Sequence, residues 1–182
     1  ELSVGDGLSG GGHDDGGLFG SVLGMDSRVH VWNPRPVRFT HAHLHRFALP
    51  LRSPWRTSYG VETARHGTLV HLVGPDAEGW GECVAEAEPR YSPEFADGAY
   101  EVIKRFVLPR LGPVVDDPGV AADRLAAVTG NHMARAAVEA AVWDAVCRAD
   151  GVSLAERLGT TRTRVPAGVA VGIQPSVGEL LD

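Results

Sequence analysis

Lysine is almost absent from this sequence. Lys104 is the only one, and every other permanently cationic side chain is arginine. A mechanism that needs two lysines therefore cannot run on these 182 residues alone. Cysteine is scarce as well. Cys83 and Cys147 lie far apart and without CxxC spacing, which excludes a disulfide framework or a zinc knuckle and suits a reducing cytoplasm. No run of 18 apolar residues occurs, so no membrane-spanning helix is expected. Net positive charge is lacking too: the formal value is -6, so nucleic acid is not an expected partner.

What is present reads as a tail and then a folded chain. Residues 1–36 include "GDGLSGGGHDDGGLFGSVLG", glycine-dense and without apolar period, and are expected to be a disordered tail. From Val37 the pattern changes. "VRFTHAHLHRFALPL" predicts a strand ending at Pro50, "PWRTSYG" a loop, "TARHGTLVHLVG" a second strand and "GWGECVAEAE" a third, with turn residues between Gly74 and Gly79. The result is a three-stranded antiparallel meander. Ser92-Pro93-Glu94 predicts a helix start and Pro109 its stop. Helices are also expected over 118–128 and 132–149, with a short one between Ser153 and Gly159. "RVPAGVAVGI" predicts a strand buried on both faces, and "SVGELLD" opens a further helix. The fold class is α+β: meander, helical segment, then the first strand of a truncated (β/α)-barrel.

Most candidate chemistry has a plain alternative. His41, His43 and His45 share one strand face, where three imidazoles could bind zinc or nickel. An exposed face that tolerates histidine is the preferred reading, because no carboxylate or cysteine completes the set nearby. The pairs Asp14-Asp15 and Asp116-Asp117 lack EF-hand spacing and read as solvated charge. Glu139 and Asp144 are five apart on one helix, so they do not share a face; Glu139 is expected to pair with Arg135. Ser53, Ser58 and Ser92 lack a nucleophile elbow. Tyr91 is different. It follows the third strand, while Trp55, Arg56 and Tyr59 follow the first, and in a meander those two ends meet at one edge. Two aromatic loops would converge there, with Arg56 available to a carboxylate, while a satellite apolar cluster under a loop accounts for the same residues equally well.

In combination, "PLRSPWRTSYG" (50–60), "EGWGECVAEAEPRYSPE" (78–94), "HMARAAVEAAVWDAVCRADG" (132–151) and "VPAGVAVGI" (165–173) are similar to the start of an enolase-superfamily enzyme. The branch resembled contains o-succinylbenzoate synthase, an enzyme of menaquinone biosynthesis, and N-acylamino acid racemase. The resemblance implies a capping domain over 37–163 and the first βα piece of a barrel over 164–182. It also implies substrate-enclosing roles for Trp55, Arg56, Ser58, Glu86 and Tyr91. The implied full-length chemistry is removal of a proton next to a carboxylate, with Mg²⁺ stabilising the enediolate. The implied partners are a small carboxylate substrate and a possible second copy of the full-length enzyme. Lys104 lies in a predicted capping helix, and the catalytic lysines and metal carboxylates that the resemblance implies have no counterpart here. Inactivity alone is expected, with no cofactor on this chain. The rival reading is a stand-alone module that binds a small carboxylate or a peptide at the Trp55/Tyr91 edge.

Overall fold

The computed structural model describes residues 35–181, so the glycine-dense tail expected over 1–36 lies almost wholly outside them. Its centre is an antiparallel sheet of β2 (His41–Thr57), β3 (Gly60–Val73) and β4 (Glu78–Cys83), in the order β2-β3-β4. A separate two-stranded ladder joins β1 (Val37–Arg38) to β5 (Val114–Val115). The helices are α1 (Ala96–Val102), α2 (Leu108–Leu111), α3 (Pro118–Ala126), α4 (His132–Asp150), α5 (Leu154–Arg157) and α6 (Val177–Leu181). No helix among the described residues is long and apolar enough to cross a membrane.

The expected meander is present, but its first hairpin is longer. β2 does not stop at Pro50. Regular pairing reaches Pro50 opposite Ala64, is interrupted, and resumes with Trp55 opposite Glu62, Arg56 opposite Val61 and Thr57 opposite Gly60. Most of "PWRTSYG" is therefore strand, and the turn proper is Ser58 and Tyr59. Proline lacks only the backbone donor, and an edge strand with a bulge tolerates that loss. β4 is shorter than expected, and residues 84–95 form an irregular connection.

The sheet's inner face packs on α4 at close range. A Cβ at Gly79 would overlap the Ala141 carbonyl oxygen, and one at Gly81 the Ala137 carbonyl oxygen. Glycine on the strand and alanine on the helix let the two backbones meet. Around them Val70, Leu72, Val138, Val142 and Val146 are fully buried. Asp144 of α4 accepts hydrogen bonds from the Trp80 backbone N–H and from Arg148, both at 2.9 Å. It thereby occupies a donor that the free edge of β4 would otherwise present.

The helix expected from Ser92 begins only at Ala96, after an N-cap residue, Phe95, that supplies no side-chain bond. Ser92 Oγ instead serves Glu94 locally. The Glu94 carboxylate caps a different helix: Met133 and Ala134 backbone N–H groups donate to it at 3.0 and 3.1 Å, at the start of α4. It satisfies donors that a helix N-terminus leaves free and sits at the positive end of the dipole. Pro109 does not stop the first helical run. A π turn over Ile103–Val107 precedes α2, and Gly112, at φ 73°, ends it. The buried residues Ala99, Ile103, Val107 and Leu111 recur every four positions. That spacing stays on one face where the winding loosens, and a widened turn also relieves the clash of Pro109 with the preceding turn.

Asp117 is a helix cap, accepting from the Gly119 and Val120 N–H groups of α3, and not a spare carboxylate. Arg135 donates to the Val128 carbonyl rather than serving the expected pair with Glu139. The helix expected over 132–149 is α4, closed by Gly151 at φ 68°. The capping box of Ser153 and Glu156 opens α5, and Gly159 follows at φ 65°. The segment 164–174 carries no regular strand, and Val165 and Val169 are 71% and 86% exposed. An apolar strand is held by ladders on both sides, and none pairs with it here. Among the described residues, the Ile173 N–H ties it to the sheet by donating to the Arg56 carbonyl at 3.0 Å.

Candidate functional site

The far end of the β2–β3 hairpin and the connection 84–95 meet at one edge of the sheet. The turn holds its own shape through Thr57 Oγ1, which donates to the Gly60 carbonyl at 3.1 Å. Arg90 reaches across from the connection: one guanidinium nitrogen donates to the Tyr59 carbonyl at 3.3 Å, and the group pairs with Glu88 at 2.7 Å. A Cβ at Gly60 would lie 2.5 Å from Arg90 Nη1, so glycine makes room for that contact. The Tyr59 and Tyr91 rings sit 6.1 Å apart and tilted, within the range of aromatic pairing. At the base of the connection, the Ala96 N–H donates to the Glu86 carbonyl at 2.7 Å, anchoring it to α1.

Under this edge lies a cavity of about 190 Å³, with Tyr59, Glu62, Arg65, Glu86 and Arg90 among its walls. Burial pushes the Glu86 carboxyl above its usual range, and the Glu62 carboxylate beside it, which hydrogen-bonds to it, pushes it the same way. The Arg65 charge and a bond from Tyr59 oppose the shift. Glu62 Oε2 stands 3.2 Å from Arg65 Nη1. Its alignment does not make a hydrogen bond, so this is a charge contact. The neighbouring Glu62 charge thus disfavours ionisation of Glu86.

A second hollow, of about 450 Å³, lies between Trp55, Arg56 and residues 170–175. Gly172 approaches the Trp55 ring so closely that a Cβ there would be 3.2 Å from Trp55 Cε3. The five residues expected to enclose substrate thus fall into two groups. Trp55 and Arg56 face the second hollow, and Glu86 faces the first. Tyr91, 69% exposed, borders the first through Tyr59, and Ser58 is exposed at the turn between them. Glu62, Arg65 and Arg90 escaped the sequence reading. Glu62 lies directly across the ladder from Trp55, a pairing set by the interrupted register of the folded hairpin.

Mg²⁺ takes near-octahedral oxygen ligands. Glu62 and Glu86 do not fit that demand, being engaged with each other and with Arg65. Among the described residues, no group of three or more His, Cys, Asp or Glu is placed to hold a metal ion. Lys104 is exposed on the π turn. Cys83 is buried, and burial pushes its thiol up, which suits packing rather than nucleophilic attack.

Residues 41–159 match the family model described as mandelate racemase / muconate lactonizing enzyme, N-terminal domain. The chain is 41% identical over 147 residues to an N-succinylamino acid racemase of Amycolatopsis sp, covering 80% of this chain and 40% of that protein. It is 35% identical over 147 residues to an o-succinylbenzoate synthase of Geobacillus kaustophilus, covering 80% and 39%. A solved member of the enolase superfamily from Listeria innocua Clip11262 superposes with a TM-score of 0.73 at 34% identity, over 80% of this chain and 40% of that one. The chain spans about two fifths of the length of these curated relatives.

Proposed function

Because this chain belongs to the mandelate racemase / muconate lactonizing enzyme family, through its N-terminal domain, we propose that it is the substrate-enclosing cap of a larger enzyme. In this reading residues 37–163 are the cap, 164–182 open a barrel, and 1–36 are a tail. The whole enzyme is of the o-succinylbenzoate synthase or N-acylamino acid racemase type and removes a proton next to a carboxylate. Trp55, Arg56, Ser58, Glu86 and Tyr91 enclose the substrate. The acid, the base and the Mg²⁺ ligands belong to parts of the enzyme other than these 182 residues, which are inactive alone and bind no resident cofactor.

The observation that carries this reading is the edge at which the hairpin turn and residues 84–95 are tied together by Arg90 and the Tyr59–Tyr91 pair. A cap works by closing over a site and excluding water, which strengthens every charge interaction beneath it. Arg56 offers a fork of donors matched to a carboxylate. The Trp55 ring shields one side and the two tyrosines the other. Residues 170–175 rest against Trp55 and Arg56, so the cap touches the start of the proposed barrel through these same residues.

The test joins this chain to the barrel portion of the 41% identical racemase. Arg56→Ala in that fusion is expected to raise KM for an N-succinyl amino acid by about tenfold or more, as loss of a charge-assisted pair does. An unchanged KM and kcat would remove Arg56 from the site. Trp55 and Tyr91 border separate hollows, which counts against the stand-alone binding module. Calorimetric binding of acylamino acids to the 182-residue chain, with micromolar affinity, would restore it.

A further inference from the structure

The outer face of the sheet carries a cluster that the cap reading leaves without a role. His43 and His45 alternate along β2, and His71 stands directly across from His43 on β3. Their ring centroids form a nearly equilateral triangle: 6.2 Å between His43 and His45, 5.9 Å between His43 and His71, and 6.5 Å between His45 and His71. His41 continues the row, stacked on His43 at 6.1 Å. Trp80 on β4 lies against the triangle, 3.8 Å from His71 and 5.9 Å from His45.

We propose that His43, His45 and His71 form a surface site for one borderline divalent transition-metal ion, of the Zn²⁺, Ni²⁺ or Cu²⁺ class. Three neutral imidazoles suit such ions and not Mg²⁺. Two imidazoles on one zinc place their ring centroids about 5 Å apart, given metal–nitrogen bonds of about 2 Å. The triangle must therefore close by about 1 Å per side. His71, 16% exposed, stacked on Trp80 and bonded to Glu78, is the fixed corner, and χ rotations of the exposed His43 and His45 would close the set onto it; as the rotamers stand, no such group among the described residues is placed to hold an ion.

The structure also supplies a carboxylate that sequence proximity did not reveal. Glu78 lies 2.9 Å from His71 Nε2. That bond orients the ring and leaves Nδ1 as the free nitrogen. A carboxylate behind a ligating histidine raises the ligand's basicity and fixes its tautomer. Glu78 and Glu82 flank Trp80 on the exposed side of β4, adding negative potential near the site. The His41 Nδ1 is already engaged with Thr40 Oγ1 at 3.0 Å, which sets His41 apart from the triangle.

Trp80 provides the readout. The tag-free 182-residue chain is titrated with NiCl₂ at neutral pH while tryptophan fluorescence is followed. The expected result is saturable quenching at one ion per chain, with MgCl₂ inert. A His43→Asn/His45→Asn/His71→Asn variant is expected to lose the saturable phase. Glu78→Gln should weaken binding about tenfold, as outer-shell changes do, and His41→Asn should leave it within about twofold. A thermal-shift titration with ZnCl₂ is the second readout, since a ligand of the native state raises the midpoint. Equal apo midpoints establish that the variants are folded. Quenching that is the same in the triple variant, or that does not saturate by about 1 mM, overturns the proposal.

Discussion

β4 and β2 are the two edges of one three-stranded sheet, and they are finished differently. β4 lies against α4, its glycines seated on helix carbonyls and its Trp80 N–H taken up by Asp144. β2 is largely exposed, interrupted by a bulge between Pro50 and Trp55, and lined with histidine. Close backbone packing makes the first edge sensitive to a single added methyl. The second edge bears polar and aromatic groups that pack on little, so its changes should register in binding and scarcely in folding. The sheet therefore joins one tightly packed edge to one that packs on little.

The largest effect should come from the tight edge. Gly81→Ala places a methyl into the Ala137 carbonyl and is expected to cost roughly 3 kcal/mol, read from urea denaturation. A loss under about 0.5 kcal/mol would mean that β4 and α4 are not in close contact. Next comes Glu94→Ala, which frees two N–H groups at the start of α4. It should cost about 1–2 kcal/mol in the same assay.

Smaller, and opposite in sign, is Glu86→Gln on the connection that follows β4. Glu86 holds its proton more tightly folded than unfolded. That contribution is fully present below the ordinary carboxylate range and is lost as pH rises through the raised value. The glutamine variant, which never ionises, should be the more stable protein at pH 7, with the two converging near pH 4. Thermal melts across that range check it, and a less stable variant at pH 7 would contradict the upward shift of the Glu86 carboxyl. Smallest is Tyr91→Ala, expected to move stability by less than about 0.5 kcal/mol because the ring is mostly exposed. In the fused enzyme the same change should raise KM.

The parts of this fold legible in the sequence are those with local causes. The alanine-rich run stopped by Gly151, the Ser153–Glu156 box and the turn between Val73 and Glu78 each announce themselves within a few residues. What stayed hidden depends on partners far along the chain. Glu94 caps a helix 39 residues away, and nothing beside it says so. Pro50 and Pro54 read as strand breakers, yet an edge strand needs no donor from them. Pro109 reads as a stop, and the π turn before it absorbs the conflict. The same holds at the candidate site. Trp55, Arg56 and Tyr91 could be proposed from the order of strands, whereas the Glu62–Glu86 contact and the reach of Arg90 required the folded hairpin. Residues 165–173 have the composition of a buried strand, but composition alone does not supply the neighbours that make one.

The central claim, that this chain covers a site whose reacting groups lie elsewhere, meets its most direct test in deuterium exchange. The α-proton of an N-succinyl amino acid is followed by NMR in D₂O with Mg²⁺, using the 182-residue chain alone and the chain fused to a relative's barrel. The account expects no exchange above buffer from the chain alone and Mg²⁺-dependent exchange from the fusion. Exchange catalysed by the 182 residues by themselves would contradict it.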